Sequence, residues 1–313
     1  MSTTESEGAT DAARKAIPPG RDRMQSRLLV LTGVPALCWV AWNAVQYAHS
    51  AGSSGRAYLG TALAVSALFG LAAWRLRAAT TAAAASGALI CFDITVLSGR
   101  PDGASVLHSG LTCLVLLFLL THAATRYRRK QKQIAGLESE KHGRNAAQVI
   151  ANLGVAGIAA LQYYWIFRTP PRPEVGIVLF PILQVPMLSA LAEATADTVS
   201  SEIGQALGGR PFLILNFRRV PPGTDGAISL IGTVAGIASA IALAVVASAA
   251  PGIHSRAIVH VVIAATAGLF FDSLLGATAE RRGWIGNDAV NFASTLFAAL
   301  VGAFLERAVF VFA

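Results

Sequence analysis

Three stretches of this 313-residue sequence set carboxylates, hydroxyls and amides at helical spacing, the mixture of oxygen ligands and polar donors that phosphate chemistry uses. In ALAEATADTVSSEIGQALGGR, residues 190–210, Glu193, Asp197 and Ser201 fall at i, i+4 and i+8 on one helix face, with Glu202 beside them. Such groups suit Mg²⁺, which is commonly held by one or two carboxylates together with substrate phosphates. The plainer reading is a helix end emerging into water. In GLFFDSLLGATAERRGWIGNDAVNF, residues 268–292, Asp272 lies about two turns, roughly 12 Å, inside its apolar run. A carboxylate at that depth costs ~2.5–3.5 kcal/mol on insertion scales, so it has to face a polar cavity, a cation or a partner such as Arg. Downstream, Asp288 and Asn291 are spaced i, i+3, while Asn287, Asn291 and Ser294 are spaced i, i+4, i+7.

The third stretch, KHGRNAAQVIANLG at 141–154, aligns Arg144, Gln148 and Asn152 at i, i+4 and i+8, with Asn145 adjoining. These side chains could bind phosphate or hydrogen-bond neighbouring helices, since an amide in hydrocarbon seeks a partner. His142 alone does not make a base. A loop of different character, NFRRVPPGTDGAISL at 216–230, follows a Gly-Gly-Arg turn and carries Arg218 and Arg219 before Pro221, Pro222, Gly223 and Gly226. A tight Gly/Pro loop exposes backbone N–H groups to phosphate oxygens, and Thr224 and Asp225 are candidate caps for the apolar run beyond. The run TRYRRKQKQ at 125–133 could meet anionic headgroups or phosphates, or simply anchor a membrane helix by its charge. Asp93 and His108 stand apart from these clusters and are left out of the site.

What must position these residues is a membrane domain. The chain is 54% hydrophobic and 13% charged, with a mean hydropathy of +0.56, which leaves too little polar surface for a soluble domain of this size. Apolar runs long enough to cross a ~30 Å hydrocarbon core predict an all-α, polytopic bundle of about nine helices. They fall near 28–49, 57–74, 82–98, 104–124, 147–167, 175–195, 227–250, 257–279 and 289–311. Residues 1–27 read as a disordered cytoplasmic tail and 28–313 as the integral membrane domain. Of the 25 Lys and Arg, nineteen fall on one side of this topology, which puts the N-terminus and both long loops, Arg126 to Ala146 and Asp197 to Gly226, in the cytoplasm. That asymmetry accounts for the net charge of +8 without invoking nucleic acid. Cys38, Cys91 and Cys113 lack any CxxC spacing, so neither zinc nor a disulfide is expected. The location expected is the inner (plasma) membrane of the cell, with chemistry facing the cytoplasm.

Read in order, RNAAQVIANLG, ATADTVSSEIG, RRVPPGTDGAISLIGT, FDSLLGATAE and NDAVNFAST resemble the domain-of-unknown-function 92 family from about Thr80 to the C-terminus. That family includes transmembrane protein 19 and the plant and cyanobacterial phytyl-phosphate kinases. A broader likeness is to the phytol and dolichol kinases and the CDP-diacylglycerol synthases, in which an acid precedes a Gly-rich basic loop and a Thr/Ser-to-Gly segment. Here the order is Asp197, Gly204, Gly208, Gly209, Arg218, Arg219, Thr224 and Gly226, and Asp272-Ser273 resembles the synthases' second acidic motif. The synthases' lysine has no match among Pro221, Pro222 and Gly223. The resemblance implies a lipid-phosphate kinase moving a phosphoryl group from a nucleoside triphosphate, CTP by the likeness, to an isoprenyl monophosphate in the bilayer. Asp197, Asp272 and Asp288 would be its catalytic and Mg²⁺-holding acids. Arg144, Asn145, Gln148, Asn152, Ser201, Glu202, Arg218, Arg219, Thr224, Asp225, Gly226, Ser273, Asn287 and Asn291 would contact phosphates. The rival expectations are a transporter or ion-coupled carrier, since an intramembrane Asp and Gly/Pro-broken segments are also carrier features, and a related CTP-using lipid alcohol kinase or cytidylyltransferase. Oligomeric state is left open.

Overall fold

The structure is a computed structural model, and it describes residues 17–99, 107, 110–137, 143–168, 173–249, 253 and 255–312. Nine long helices stand among the described residues: α1 (Pro19–Ser50), α2 (Gly52–Arg75), α3 (Thr81–Ser98), α4 (Leu111–Arg126), α6 (Ala146–Arg168), α7 (Pro173–Leu207), α8 (Leu230–Ala247), α9 (Ser255–Leu275) and α10 (Asn287–Phe312). A short α5 (Arg129–Ile134) follows α4, and strands β1 (Phe212–Leu213) and β2 (Ala227–Ile228) pair antiparallel in the α7–α8 connection. Six helices, α1, α2, α3, α8, α9 and α10, have spans long and apolar enough to cross a membrane, and α4 and α6 add shorter apolar segments. Their outward faces are apolar at helical spacing, as Leu296, Leu300 and Phe304 on α10 and Val234, Ile241 and Val245 on α8 show. The protein is thus a polytopic helical membrane protein.

Three boundaries differ from expectation for identifiable reasons. Helix α1 begins at Pro19, so residues 19–27 of the expected tail are helical, with Pro at the first position and Asp22 in the first turn. That foot is also held from outside: Arg21 Nη1 and Gln25 Nε2 donate to Gly283 O and Trp284 O, each at 3.0 Å. Residues 1–16 of the tail, like His108 and His142, lie outside the described residues. Helix α7 runs on to Leu207 rather than stopping near 195, because the acids of 190–202 keep helical spacing until Gly208 and Gly209, the latter at φ +62°. Helix α8 begins at Leu230, capped by Ser229, whose Oγ accepts from Gly232 N at 3.1 Å; the expected cap Asp225 lies back in the loop.

Helix α7 is the axis of the bundle, packed against α4, α6, α8, α9 and α10. Its contact with α8 is built from small residues: a Cβ placed on Gly236 would meet Ala196 O at 2.7 Å, and one on Gly232 would meet Ser200 O at 2.5 Å. Small residues let backbones close up where apolar side chains gain nothing over lipid tails. The N-terminal helices instead enclose a large-residue core of Leu37, Val40, Ile90, Ile94, Leu97 and Ile150, each no more than 1% exposed.

The basic loops gather at one end. Arg144 pairs through its backbone with Ala78 and Thr80 (2.9 and 3.0 Å), joining the α2–α3 turn to the start of α6. Lys132 of α5 is paired with Glu202 of α7. Gly226, in the hairpin loop, packs so closely on Ala277 that a Cβ would lie 2.2 Å from its amide nitrogen. The segment after α9 is there drawn into a π-helical turn (Gly276–Glu280), a geometry that recurs at functional sites.

Candidate active site

Below that basic end, helices α7, α9 and α10 meet around buried carboxyls. Glu193 on α7 is 1% exposed, and neither of its oxygens has a hydrogen-bond partner. Asp197, one turn nearer the loops, is half-buried on the same face. Across from them Asp272 on α9 is half-buried, its Oδ2 shielded and without a partner. The three acids interact electrostatically, Glu193 with both Asp197 and Asp272, and Asp272 with Asp197 and with Glu280 at the end of the π turn. From Glu193 to Glu280, carboxyls thus lead from the interior to the rim.

Close approach of the three helices depends on Gly268, where a Cβ would lie 2.5 Å from Glu193 Cγ and 2.9 Å from Ala298 Cβ. Ser294 of α10 stands beside Glu193 and Asp272 and acts on both, but its hydroxyl donates to Asn291 O at 3.0 Å, so both Glu193 oxygens and Asp272 Oδ2 have no hydrogen bond among the described residues. The cation nearest in effect is Arg144, whose charge acts on Asp197 and whose Nη2 donates to Thr198 Oγ1 at 3.2 Å. Unpaired carboxylate oxygens in a poorly hydrated interior are costly unless they take protons, a cation or the positive groups of a ligand. Among the described residues no three His, Cys, Asp or Glu side chains stand at metal-holding spacing.

Asp197 thus interacts with both Asp272 and Arg144, three residues from segments far apart in the sequence. Asp288, expected with them, has other neighbours: its Oδ2 accepts from Ser26 Oγ at 2.7 Å and it lies near Asp22, at the foot of α1. Asn145 and Gln148 close a reciprocal capping box at the start of α6, with bonds of 2.7 and 3.0 Å. Asn152 Nδ2 donates back to Gln148 O at 2.9 Å, and Ser273 Oγ to Leu269 O at 3.2 Å, so both face inward along their own helices. Ser201 is exposed and Glu202 is engaged by Lys132. Arg218 and Arg219 are exposed on the hairpin loop, where Thr224 Oγ1 donates to Pro221 O at 2.8 Å and half-buried Asp225 precedes Gly226. Asn287 is exposed and Asn291 half-buried at the start of α10. Glu193 is the deep member that spacing alone places on the acidic face without marking it as buried. Gly268, its packing partner, carries no signal in an apolar run. Asp93 is 0% exposed in α3, also without a hydrogen-bond partner among the described residues.

Residues 64–299 match the family described as integral membrane protein DUF92, a region that begins in α2, earlier than the quoted motifs. Among similar proteins, Protein VTE6, chloroplastic, of Arabidopsis thaliana is 28% identical over 232 residues, 72% of this chain and 66%, just under two thirds, of that protein. An uncharacterized membrane protein of Synechocystis is 30% identical over 198 residues, 63% of this chain and 74% of its own length. An uncharacterized membrane protein of Methanocaldococcus jannaschii is 37% identical over 119 residues, 37% of this chain and 48% of that one. No solved structure matches. With its matched region running from α2 into α10 and enclosing every residue of the acid cluster, the chain belongs to the integral membrane protein DUF92 family.

Proposed function

We propose that this protein is a membrane-embedded lipid-phosphate kinase, transferring the γ-phosphoryl group of a nucleoside triphosphate, CTP by the family likeness, to an isoprenyl monophosphate such as phytyl phosphate. The observation that carries this reading is the set of unpartnered carboxyls at Glu193 and Asp272, beside Asp197 and Arg144 and beneath a basic rim. Similarity to VTE6 and the phytyl-phosphate kinase likeness support a transferase of this class and do not favour the carrier. An acceptor phosphate oxygen is already a nucleophile: it forms a bond to the γ-phosphorus while the bond to the β,γ-bridging oxygen breaks, and the nucleoside diphosphate leaves. No general base is needed, so positioning and charge stabilisation supply the catalysis. Asp197 and Asp272 have the donor chemistry to hold Mg²⁺, which would neutralise phosphate charge and is commonly completed by substrate phosphates. Arg144, with Arg218 and Arg219 on the loop above, would bind phosphate oxygens. The isoprenoid chain would lie between the helices, in the bilayer, with its headgroup at the side expected to face the cytoplasm.

The test is purified protein in lipid nanodiscs, assayed with labelled CTP, ATP and UTP against isoprenyl monophosphates and Mg²⁺. Diphosphate product is expected from the wild type, and Asp197→Asn or Asp272→Asn is expected to lower turnover by at least about 10³-fold with folding retained. Full activity in both variants would remove the acids from the chemistry. Solute uptake by vesicles with no phosphoryl transfer would replace the kinase by a carrier.

A further inference from the structure

A second charged region lies outside the acid cluster, at the corner where α4 leaves the apolar part of the bundle. Arg126, Arg128, Arg129, Lys130 and Gln131 line an open cleft of ≈540 Å³ there. The chain turns the corner at Arg128, whose φ of +50° is uncommon for a residue other than glycine. That turn is braced from two sides: Arg128 Nη1 donates to Ala206 O at 3.3 Å, and its guanidinium lies 5.6 Å from the Tyr127 ring centroid. The long side chain of Lys132 does the rest. It is 4% exposed, paired with Glu202, and donates to Thr125 O at 2.9 Å, so α5 is fixed to the end of α4 and to α7 together.

The consequence is a sorting of charges. Lys132 is answered by a carboxylate, whereas among the described residues the partners of Arg126 and Arg128 are carbonyl oxygens (Leu76 O at 3.4 Å for Arg126) and a ring face. Beside these exposed cations stand two exposed apolar groups, Ile134 at 88% and Tyr127 at 43%. A basic surface with an aliphatic and an aromatic side chain, placed at the end of an apolar helix, has the composition of an element lying in the headgroup layer. Free phosphate would leave Ile134 in water; a bilayer receives it.

We infer that the α4–α5 corner binds the anionic headgroups of bilayer lipids, with Arg126, Arg128 and Lys130 facing the phosphates and Ile134 entering the acyl boundary. Because Glu202 lies five residues beyond Asp197 on α7, a headgroup held here also steadies the helix that carries two of the acids. That last effect rests on the kinase reading; the lipid binding does not. The experiment therefore reads binding without nucleotide or turnover. Full-length protein is placed in nanodiscs of phosphatidylcholine alone or mixed with phosphatidylglycerol, and the lipids retained on gentle extraction are measured by native mass spectrometry. Wild type is expected to retain phosphatidylglycerol preferentially, with about a fivefold loss of preference for each charge removed in K130Q and R126Q/K130Q. Raising salt on the wild type should erode the same preference with no substitution at all, which covers a variant that folds poorly. Equal retention in wild type and double variant, a preference indifferent to salt, or displacement of the lipid by millimolar inorganic phosphate would each overturn the assignment, the last by making free phosphate the ligand.

Discussion

Helices α9 and α10 carry ionisable side chains at two levels, and the two levels are treated in opposite ways. Near the start of α9, His260 meets Glu306 of α10 at 2.6 Å, with both side chains about a tenth exposed, so each supplies what burial takes from the other. Some 12 residues further along α9, about 18 Å by helical rise, Asp272 faces Glu193 and Asp197 with no comparable partner. The first arrangement joins two helices and is complete by itself. The second is short of positive charge, and a native fold retains such a deficit where a ligand makes it up. Asp93 shows that lack of a partner is not sufficient: it is fully buried in α3 away from the cluster, whereas the acid cluster rises through Asp197 and Glu280 to a basic rim.

Charge-neutralising substitutions at the two levels should separate these roles. Glu193→Gln is expected to lower phosphoryl transfer by about 10²-fold, because it removes field at the site. Resistance to unfolding should hold or rise, since an uncompensated buried charge is gone. Glu306→Gln should do the reverse, weakening the α9–α10 contact by ~1.5–3 kcal/mol, the range of a hydrogen bond to a charged group, with turnover unchanged. Both are read from unfolding in graded denaturing detergent alongside the kinase assay. If Glu193→Gln unfolds the protein while Glu306→Gln silences it, the roles are exchanged.

Much of this was legible in the residues. Membrane class follows from apolar run length, and the expectation that Asp197 and Asp272 share a site follows from motif order and the family resemblance. What escaped was decided by contacts between distant segments. Glu193 and Asp197 have the same spacing signal, yet only the meeting of α7 with Gly268 and Ser294 makes one of them fully buried. Asp288 reads like its fellow acids until Ser26, 262 residues earlier, donates to it. Gln148 looks like a phosphate ligand at i, i+4 from Arg144, but its local bond with Asn145 closes the helix start. Local hydrogen bonds compete for such side chains, and periodicity does not record the outcome.

The smallest expected effect tests how far the site extends toward the rim. Arg144 is fixed by Thr198 within reach of Asp197, whereas Arg219 is exposed on a loop whose anchor is Gly226 against Ala277. A mobile-headed cation at the surface contributes little to a fold, so Arg219→Ala should leave unfolding unchanged. If it meets substrate phosphate, the apparent KM for nucleotide or lipid phosphate rises by roughly threefold to tenfold while kcat holds, the pattern of a contact made equally in ground and transition states. A fall in kcat at constant KM would instead place Arg219 against the transferring phosphoryl group and bring the hairpin down onto the acids. An unchanged profile would end the site at Arg144, and the difference between the two levels of α9 would then rest on side chains inside the helical bundle alone.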